Sequence, residues 1–484
     1  MRTILAFLPE LVLAAGVLVL FLLSLGTRRE AAGWWWSLAA GLGALVACVF
    51  NGGVRETLFD GAYRVDAFSQ VLKGILSIVY VFLVIAGGDL RDVREDIRSE
   101  YRFLLGVSVL GFQLVVSCLD LLALVVSLEM ASFPLYLAVA TRREREGQRN
   151  QMESAIKYMM FGVAANAIML FGLGYLFGLT GTTSLPLMAE RLRPLTETPL
   201  ALVGLGLAFA GLFYKLAVLP FQFWTPDVYQ GASNETAGVI ASLPKVGAAA
   251  LMIRWLSLAA PDSVTIPTLL SWLAVGSMFY GNLIAMAQRD FKRMLGFSGI
   301  AHAGYAMLGF VALDQAGGAA AVFYMVSYAL MVMACFLVIG RVSEDGQNVP
   351  ITALAGLHRR SPLLAVTLLV GVFGLAGIPP FAGFMGKLAL FTSAFERGHG
   401  WLVVIAVVNA AIAVYYYLGV MREAFFGDAG GTPPIRLDLA TQVLCGVLVT
   451  AVVLLGVMPT RVLEMLTAAM AAAGMTVFGP AAGS

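Results

Sequence analysis

Long apolar segments alternate with short polar connections along the whole chain. A membrane-spanning helix needs about 20 mainly apolar residues. Fourteen segments approach that length: 4–26, 33–52, 66–87, 102–119, 120–140, 153–179, 200–223, 236–258, 264–287, 296–313, 318–341, 361–393, 400–423 and 438–458. No connection is long enough for a soluble domain, and a short apolar tail, 459–484, follows the last segment. We therefore predict an all-α polytopic membrane protein of about 14 transmembrane helices, with residues 1–484 forming one integral membrane domain.

The composition supports this prediction. The chain is 60% hydrophobic and 12% charged, with a mean hydropathy of +0.87. Soluble domains are about 45–50% apolar and about 25% charged, so a soluble enzyme and a disordered chain are both excluded. The formal net charge of +2 gives no electrostatic footprint for nucleic acid.

Basic residues are concentrated on one side of the predicted membrane. With the N-terminus placed outside, 18 Lys and Arg residues fall in inner connections, eight fall on the outer side, and the other five are lysines in apolar segments. The inner connections of membrane proteins carry the excess of positive charge. Both termini are therefore predicted on the outer, periplasmic side of a bacterial inner membrane.

The two basic residue types are placed differently. Only six of the 31 basic residues are lysine, and five of the six lie in or beside apolar segments, whereas nearly all the arginines lie in polar connections. The lysines are Lys73, Lys157, Lys215, Lys245, Lys292 and Lys387. Because a buried lysine can release its proton and an arginine effectively cannot, this placement indicates proton chemistry inside the membrane.

Two predicted helices contain proline where a helix should continue. The seventh contains Pro220, and the twelfth contains Pro379 and Pro380. Proline removes a backbone donor and clashes with the preceding turn, so helices 7 and 12 are expected to be broken. Paired breaks often mark inverted repeats in transporters, and an offset of five helices reverses the orientation of the second break.

Four ionisable residues lie deep in the predicted helices: Glu129, Lys215, Lys245 and Lys387. Each unpaired charge near the bilayer centre costs about 2.5–3.5 kcal/mol on insertion scales. A purely structural ion pair between Glu129 and one lysine is the alternative explanation, but it leaves two lysines unexplained. The functional interpretation is a hydrated polar axis along which these residues transfer protons.

Other polar residues give weaker indications. His302 lies inside helix ten, where it either links the two halves of the proton route or is a hydrogen-bonded core histidine. Lys73 and Lys157 lie near helix ends, where long side chains are expected to reach the interface. Lys292, in the segment Asp290–Arg293, is expected in an ordinary charged inner loop.

The sequence contains no cofactor or metal motif. The four cysteines are far apart with no CxxC, and the three histidines do not suggest paired haem ligands. Gly386-Lys387 is not the end of a P-loop, because Leu388 follows where Ser or Thr is required. Any redox or nucleotide chemistry is therefore expected in partner proteins, with no cofactor in this chain.

Three sequence runs resemble the antiporter-like membrane subunits of respiratory complex I, the proton-translocating NADH-quinone oxidoreductase. They are YKLAVLPFQFWTPDVYQGA at 214–232, RDFKRMLGFSGIAHAGY at 289–305 and GIPPFAGFMGKLALF at 377–391. The TPDVYQGA form and the lysine of GFMGK are similar to the subunit N branch, the counterpart of mitochondrial subunit 2. The resemblance covers essentially the whole chain. One departure is Ser298-Gly299-Ile300, where the family often has SSI.

The resemblance implies fourteen helices arranged as two inverted five-helix repeats. The first would be helices 4–8 at 102–258, and the second helices 9–13 at 264–423. NADH, FMN, iron–sulfur clusters and quinone would be bound by partner subunits, and other antiporter-like subunits of the membrane arm would be neighbours.

The resemblance also implies a proton route. Glu129 and Lys215 would form an interacting pair, Lys245 would be the central relay, and Lys387 would lie toward the outer exit. A change of charge at the Glu129–Lys215 pair, driven by quinone chemistry elsewhere, would move the proton along the route.

Three other interpretations remain open at this point. A subunit of a multisubunit cation/proton antiporter would share the fold and the lysines, although the TPDVYQGA run argues against it. The same subunit could belong to a related complex fed by ferredoxin or another donor. From a different class, a non-pumping scaffold would anchor neighbouring membrane subunits.

Overall fold

The chain is almost entirely helical in the computed structural model, which describes residues 2–26, 30–144, 150–260 and 263–473. The helices of the first half are Arg2–Ala6 (α1), Leu8–Ser24 (α2), Glu30–Phe50 (α3), Ala67–Ala86 (α4), Arg98–Val115 (α5), Leu121–Ala140 (α6), Gln151–Thr180 (α7), Leu185–Leu192 (α8), Pro199–Ala208 (α9), Ala210–Leu216 (α10), Trp224–Gly231 (α11) and Asn234–Leu256 (α12).

The second half continues in the same way, with long helices and short connections. Its helices are Thr265–Ala285 (α13), Phe291–Val311 (α14), Gln315–Val342 (α15), Leu357–Arg360 (α16), Pro362–Ala376 (α17), Ala382–Glu396 (α18), Gly400–Phe426 (α19), Leu439–Val457 (α20) and Pro459–Ala472 (α21).

A small antiparallel hairpin lies between α3 and α4. Its strands are Glu56–Leu58 (β1) and Tyr63–Val65 (β2), with Leu58 opposite Tyr63. The chain then enters α4 through Asp66, whose side chain accepts a hydrogen bond from the Ser69 backbone N–H at 2.7 Å. This N-cap satisfies one of the free donors of the first helical turn.

The predicted all-α membrane fold is confirmed. All fourteen predicted segments are helical over most of their length. Within the described ranges, eleven helices are long and apolar enough to cross a membrane, and α2 and α17 are shorter apolar helices. The count of fourteen crossings stays a prediction. The orientation also stays a prediction, and Arg28, Arg29, Arg145 and Arg149, which contribute to it, lie outside the described residues. The tail after 458, predicted only as an apolar extension, begins with α21.

Both predicted helix breaks are present. After α10, Ala217 has φ of +65°, and the chain passes through Pro220 before helix resumes at α11. After α17, Gly377 has φ of +83°, and Pro379 and Pro380 precede α18. The left-handed conformation at Gly377 suits glycine, which carries no Cβ. The carbonyl groups at the ends of α10 and α17 are therefore left available inside the bundle.

Three helices form the centre of the bundle. The most apolar stretches of α12 and α14 are wholly buried, and that of α15 is almost wholly buried. By contrast, much of α7, α19 and α20 faces outward. Side chains on α12, α14 and α15 are consequently shielded from the surroundings by other helices, which is where Lys245 and His302 lie.

Candidate functional site

Glu129 and Lys215 lie near each other without a direct ion pair. Lys215 Nζ donates a hydrogen bond to Ser132 Oγ, and Ser132 is one helical turn from Glu129 on α6. Glu129 Oε1 instead accepts a hydrogen bond from Asn166 Nδ2 of α7. Glu129 and Lys215 are therefore neighbours through α6 without direct contact, and the interacting pair implied by the family resemblance stays a prediction.

Aromatic side chains enclose the Lys215 end of the first break. The Trp224 indole Nε1 donates to the Tyr214 carbonyl at 3.1 Å, and the Tyr214 hydroxyl donates to the Tyr158 carbonyl at 2.7 Å. The rings of Tyr158 and Trp224 stack with centroids 4.7 Å apart. These contacts tie α7, α10 and α11 together across the break, so Lys215 is held on a packed wall although its helix ends one residue later.

Lys245 is fully buried and is held by uncharged groups. Its Nζ donates to the Gly299 carbonyl at 2.7 Å and to the Tyr328 hydroxyl at 3.4 Å, and it lies 4.6 Å from the centre of the Tyr328 ring. A carbonyl and a ring face both stabilise an ammonium without carrying a formal charge.

Gly299, the departure from the family's SSI pattern, has a local role here. A Cβ at this position would lie 2.8 Å from Lys245 Nζ and 2.8 Å from the Tyr328 hydroxyl. The missing side chain therefore gives the Lys245 ammonium the space in which it reaches the Gly299 carbonyl. This consequence was not expected from the sequence.

His302 lies within a group of buried tyrosines. Its Nδ1 is 2.6 Å from the Tyr324 hydroxyl, and its Nε2 is 3.0 Å from the Tyr417 hydroxyl. Both ring nitrogens therefore have partners, as the core-histidine alternative requires. The imidazole also lies 4.9 Å from the Tyr328 ring and 5.9 Å from the Tyr305 ring, measured between ring centres.

Lys387 is held at the second break. Its Nζ donates to the carbonyls of Leu375 at 3.1 Å and Ala376 at 3.0 Å, and it lies 4.8 Å from the centre of the Tyr305 ring. These carbonyls are the last of α17 and carry the partial negative charge of a helix C-terminus. The break therefore supplies the acceptors for a buried ammonium.

These contacts place three of the predicted residues in one continuous group. Tyr328 contacts both Lys245 and His302, and Tyr305 contacts both His302 and Lys387. We call this arrangement, Lys245–Tyr328–His302–Tyr305–Lys387, the lysine row. Lys215 is not joined to the row by any hydrogen bond or ion pair among the described residues.

Comparison with known proteins identifies the family. A family model described as NADH:quinone oxidoreductase/Mrp antiporter matches residues 118–413. The NADH-quinone oxidoreductase subunit N 2 of Opitutus terrae is 56% identical over 472 residues, covering 97% of this chain and 98% of that protein. The chain belongs to the NADH-quinone oxidoreductase subunit N family. The resemblance seen in the three sequence runs is thereby confirmed.

Two solved structures share the fold of this chain. A chain of respiratory complex I from Thermus thermophilus with bound aureothin is 34% identical to this chain, with a TM-score of 0.83 and coverage of 95% of this chain and 100% of that one. A chain of the Mrp complex from Dietzia sp. DQ12-45-1b has a TM-score of 0.85 at 21% identity, covering 99% of this chain and 98% of that one. The second match shows a shared fold alone.

Two of the expectations about the lysines of this chain were wrong. Lys73 does not reach an interface, because it is fully buried and pairs with the buried Glu10, with 2.5 Å between Nζ and Oε1. Lys292 is not in a loop, because α14 begins at Phe291 and the Lys292 Nζ donates to the Ala232 carbonyl at 2.8 Å from a fully buried position. In both cases the partner of the lysine is far away in the sequence, so the local pattern of polar residues did not indicate it.

Lys157 is partly exposed, as expected for a lysine near a helix end. Its Nζ lies 2.7 Å from Glu153 and 2.7 Å from Asp227 of α11, and Arg293 contacts the same Asp227 at 2.6 Å. The side chain therefore reaches a polar environment, which is supplied by the protein itself. The contact also ties α7 to the helix that follows the first break.

Tyr305, Tyr324 and Tyr328 are the main residues of the site that the sequence did not single out. Tyr324 and Tyr328 are four residues apart on α15, so they lie on one face of a helix that carries little charge. That spacing was the available signal. Tyr417 is fully buried and Tyr415 is 68% exposed, so only part of the 415–417 run contributes to the site.

No cluster of three or more His, Cys, Asp or Glu side chains that could hold a metal ion occurs within the described ranges. The four cysteines are free and buried. The groups available for chemistry at the site are therefore lysine amines, one imidazole, phenols, hydroxyls and one carboxylate.

Proposed function

We propose that this chain is an antiporter-like, proton-translocating membrane subunit of an NADH-quinone oxidoreductase. The observation that carries the proposal is the lysine row, a set of protonatable groups in contact at the centre of a membrane bundle, in a chain of the subunit N family. On this proposal the chain is one subunit of a translocase, and it performs no redox chemistry of its own.

The chemistry of the row suits proton transfer. Lys245 and Lys387 are held by carbonyls and ring faces, which stabilise the ammonium but leave no stranded charge when it releases a proton. His302 can accept and donate through its two nitrogens, and phenols can do the same through one oxygen. Protons would pass from Lys245 toward Lys387 through these groups and the internal water that they bind.

The Glu129–Lys215 region would control supply to the row. Ser132 keeps Lys215 one turn from Glu129, so a small shift of either side chain would make or break an ion pair. A carboxylate in contact stabilises the charged lysine, and its withdrawal favours proton release. Quinone chemistry in partner subunits would drive that shift.

The partner subunits would carry the redox groups. NADH, FMN, iron–sulfur clusters and quinone would be bound there, and other antiporter-like subunits would lie beside this chain in the membrane arm. We further propose a bacterial inner-membrane location with both termini on the outer side, as the loop charges indicate.

We also propose the inverted-repeat organisation, with helices 4–8 at 102–258 and helices 9–13 at 264–423. It is supported by the two breaks, each of which combines a left-handed residue with proline and lies beside a buried lysine. Lys215 immediately precedes the first break and Lys387 follows the second.

A reconstitution experiment tests the function. The assembly that contains this chain would be purified, its subunits and electron donor identified, and NADH-driven proton uptake measured in proteoliposomes. Lys215→Ala and Glu129→Gln should each lower the number of protons moved per NADH, whereas Tyr415→Phe, on the exposed surface, should not. Wild-type proton transport by both site variants would contradict the proposal and favour a scaffold. An assembly with another donor, or with only antiporter subunits, would favour the alternatives.

A further inference from the structure

A second line of buried polar side chains follows one face of α4, away from the lysine row. It begins at the capping residue Asp66 and continues through Gln70, Lys73, Ser77 and Tyr80. Spacings of four and three residues place these side chains on the same side of a helix. All five are at most 3% exposed. We call them the α4 stripe.

An ion pair occupies the middle of the α4 stripe. Lys73 Nζ lies 2.5 Å from Glu10 Oε1 of α2, and the Tyr63 hydroxyl donates to the same oxygen. At the start of the stripe, Arg254 of α12 lies 3.3 Å from Asp66. Each charged residue of the stripe therefore has an opposite charge beside it. The partners come from α2, β2 and α12, so the stripe connects α4 to three other parts of the chain.

Several polar atoms beside this ion pair have no hydrogen-bond partner within the part of the chain that the structure describes. They are both side-chain amide atoms of Gln70, Oε1 of Gln113 and Oε2 of Glu10. Gln113 of α5 contacts the stripe, because its Nε2 donates to Ser77 Oγ at 2.9 Å. Over 90% of buried polar groups in proteins form a hydrogen bond, and each buried group without one costs about 1–3 kcal/mol of stability. A small ligand that both donates and accepts hydrogen bonds fits this set, and water is such a ligand.

Space for water is also present where the stripe ends. The Tyr80 hydroxyl, the last polar group of the stripe, is buried and has no hydrogen-bond partner among the described residues. Ser37 lines a cavity of about 20 Å³ together with Tyr101, Arg102 and Glu235. A cavity of about 10–15 Å³ on this measure already holds one water molecule. Leu83 of α4 also lines this cavity, which therefore lies about one helical turn beyond Tyr80.

We propose that the α4 stripe is a water-binding file that is closed to protons by Lys73. A protonated lysine has three donors and no acceptor, so a chain of hydrogen bonds cannot pass a proton through it. The Glu10 carboxylate, 2.5 Å from Nζ, holds the ammonium in place in the stripe. A continuous hydrated file through a coupling membrane would otherwise let protons return, and the ion pair prevents this. The proposal does not depend on the proposed function of the lysine row.

Passive proton flow tests the closure. Proteoliposomes containing the assembled complex would receive an imposed pH gradient without NADH, and the decay of the gradient would be followed with an internal pH dye. Lys73→Met removes the positive charge, and we expect the gradient to collapse several-fold faster. Lys73→Arg keeps the cation and should leave the decay at the wild-type rate. The double variant Glu10→Gln with Lys73→Met leaves no unpaired charge, protects assembly, and should also increase the decay.

Thiol labelling by Ag⁺ tests the hydration. In a background with the native cysteines changed to alanine, Ser77→Cys should react rapidly, and Val79→Cys, equally buried on another face of α4, should not. Equal, slow reaction at both positions overturns the water file. Fast reaction at Ser77→Cys with wild-type gradient decay in both Met variants overturns the closure by Lys73. A leak in Lys215→Ala would instead point to the lysine row, so the two proposals can fail separately.

Discussion

Two kinds of buried lysine occur in this protein, and they differ in what surrounds the ammonium. Lys73 contacts a carboxylate at 2.5 Å, whereas Lys245 and Lys387 contact carbonyls and tyrosine rings. If Lys73 lost its proton, the buried Glu10 carboxylate would lose its cationic partner and keep only the hydrogen bond from Tyr63. No such penalty opposes proton release from the other two. The lysines of the row are therefore suited to transfer protons, and Lys73 is suited to hold the Glu10 carboxylate in an ion pair.

The largest expected effect concerns proton transport through the row. Lys387→Met retains the length of the side chain but removes its protonatable group, so proton transfer through this chain should slow by about 10²-fold or more. Lys387→Arg should be nearly as defective because arginine does not release its proton. The measurement is NADH-driven proton uptake in proteoliposomes. Recovery of transport by the arginine variant would show that only the charge matters, and would contradict the relay.

The second prediction compares the loss of stability when each kind of lysine is replaced. Lys73→Met leaves Glu10 buried and unpaired, which typically costs about 3–5 kcal/mol. Lys245→Met leaves no opposite charge behind and should cost less. The purified complex would be heated, and dissociation of this chain would be measured as a function of temperature. The Lys73 variant should show a lower transition temperature than the Lys245 variant. Adding Glu10→Gln should restore much of the loss, and failure to do so would contradict the pairing.

A smaller effect is expected at Gly299. A methyl group there would lie 2.8 Å from Lys245 Nζ, so Gly299→Ala should displace the ammonium from the Gly299 carbonyl. The Lys245 ammonium and the Tyr328 hydroxyl are the ends of side chains that can move, so the cost in stability should lie at or below the usual range of about 1–3 kcal/mol for overpacking. Proton transport should fall partially while NADH oxidation continues. Unchanged transport would show that the carbonyl contact is dispensable.

The smallest effects are expected for single hydroxyl groups of the tyrosines. Tyr328→Phe keeps the ring beside Lys245 and His302 but removes the hydroxyl that Lys245 contacts, a loss of about 1 kcal/mol, or about fivefold in rate. Tyr417→Phe should behave similarly because it removes a partner of His302. Tyr415→Phe is the control, since Tyr415 is exposed. Equal rates in all three variants would remove the tyrosine hydroxyls from the account.

The fold could be predicted from the sequence to a large extent because membrane helices are local features. Segment length, apolar character and proline placement predicted the helical segments and both breaks. The helix at Pro459–Ala472 was missed because it follows the apolar segments as a short run with polar positions. Its place against α15 and α4 is a tertiary property.

The site could be predicted only in part, and the reason is physical. A lysine in an apolar segment is recognisable in the sequence because its burial in a membrane is energetically unfavourable, so Lys215, Lys245 and Lys387 were found. Its partner does not stand out when that partner is a carbonyl, a tyrosine ring or a glutamate far away in the sequence. Glu10 and Lys73 are 63 residues apart in the chain, and Lys292 bonds a backbone carbonyl 60 residues away. The environment that separates a charged lysine from a proton-releasing one is thus visible only in the folded chain.

The most direct test of the central claim is the number of protons moved per NADH oxidised when Lys245 is replaced by methionine. It would be measured at initial rates in proteoliposomes, beside wild type and Tyr415→Phe. Lys245 is the fully buried lysine of the row that is held by one carbonyl and one tyrosine. We expect a lower proton-to-electron ratio in the Lys245→Met complex while NADH oxidation continues. A ratio equal to that of wild type would contradict the account.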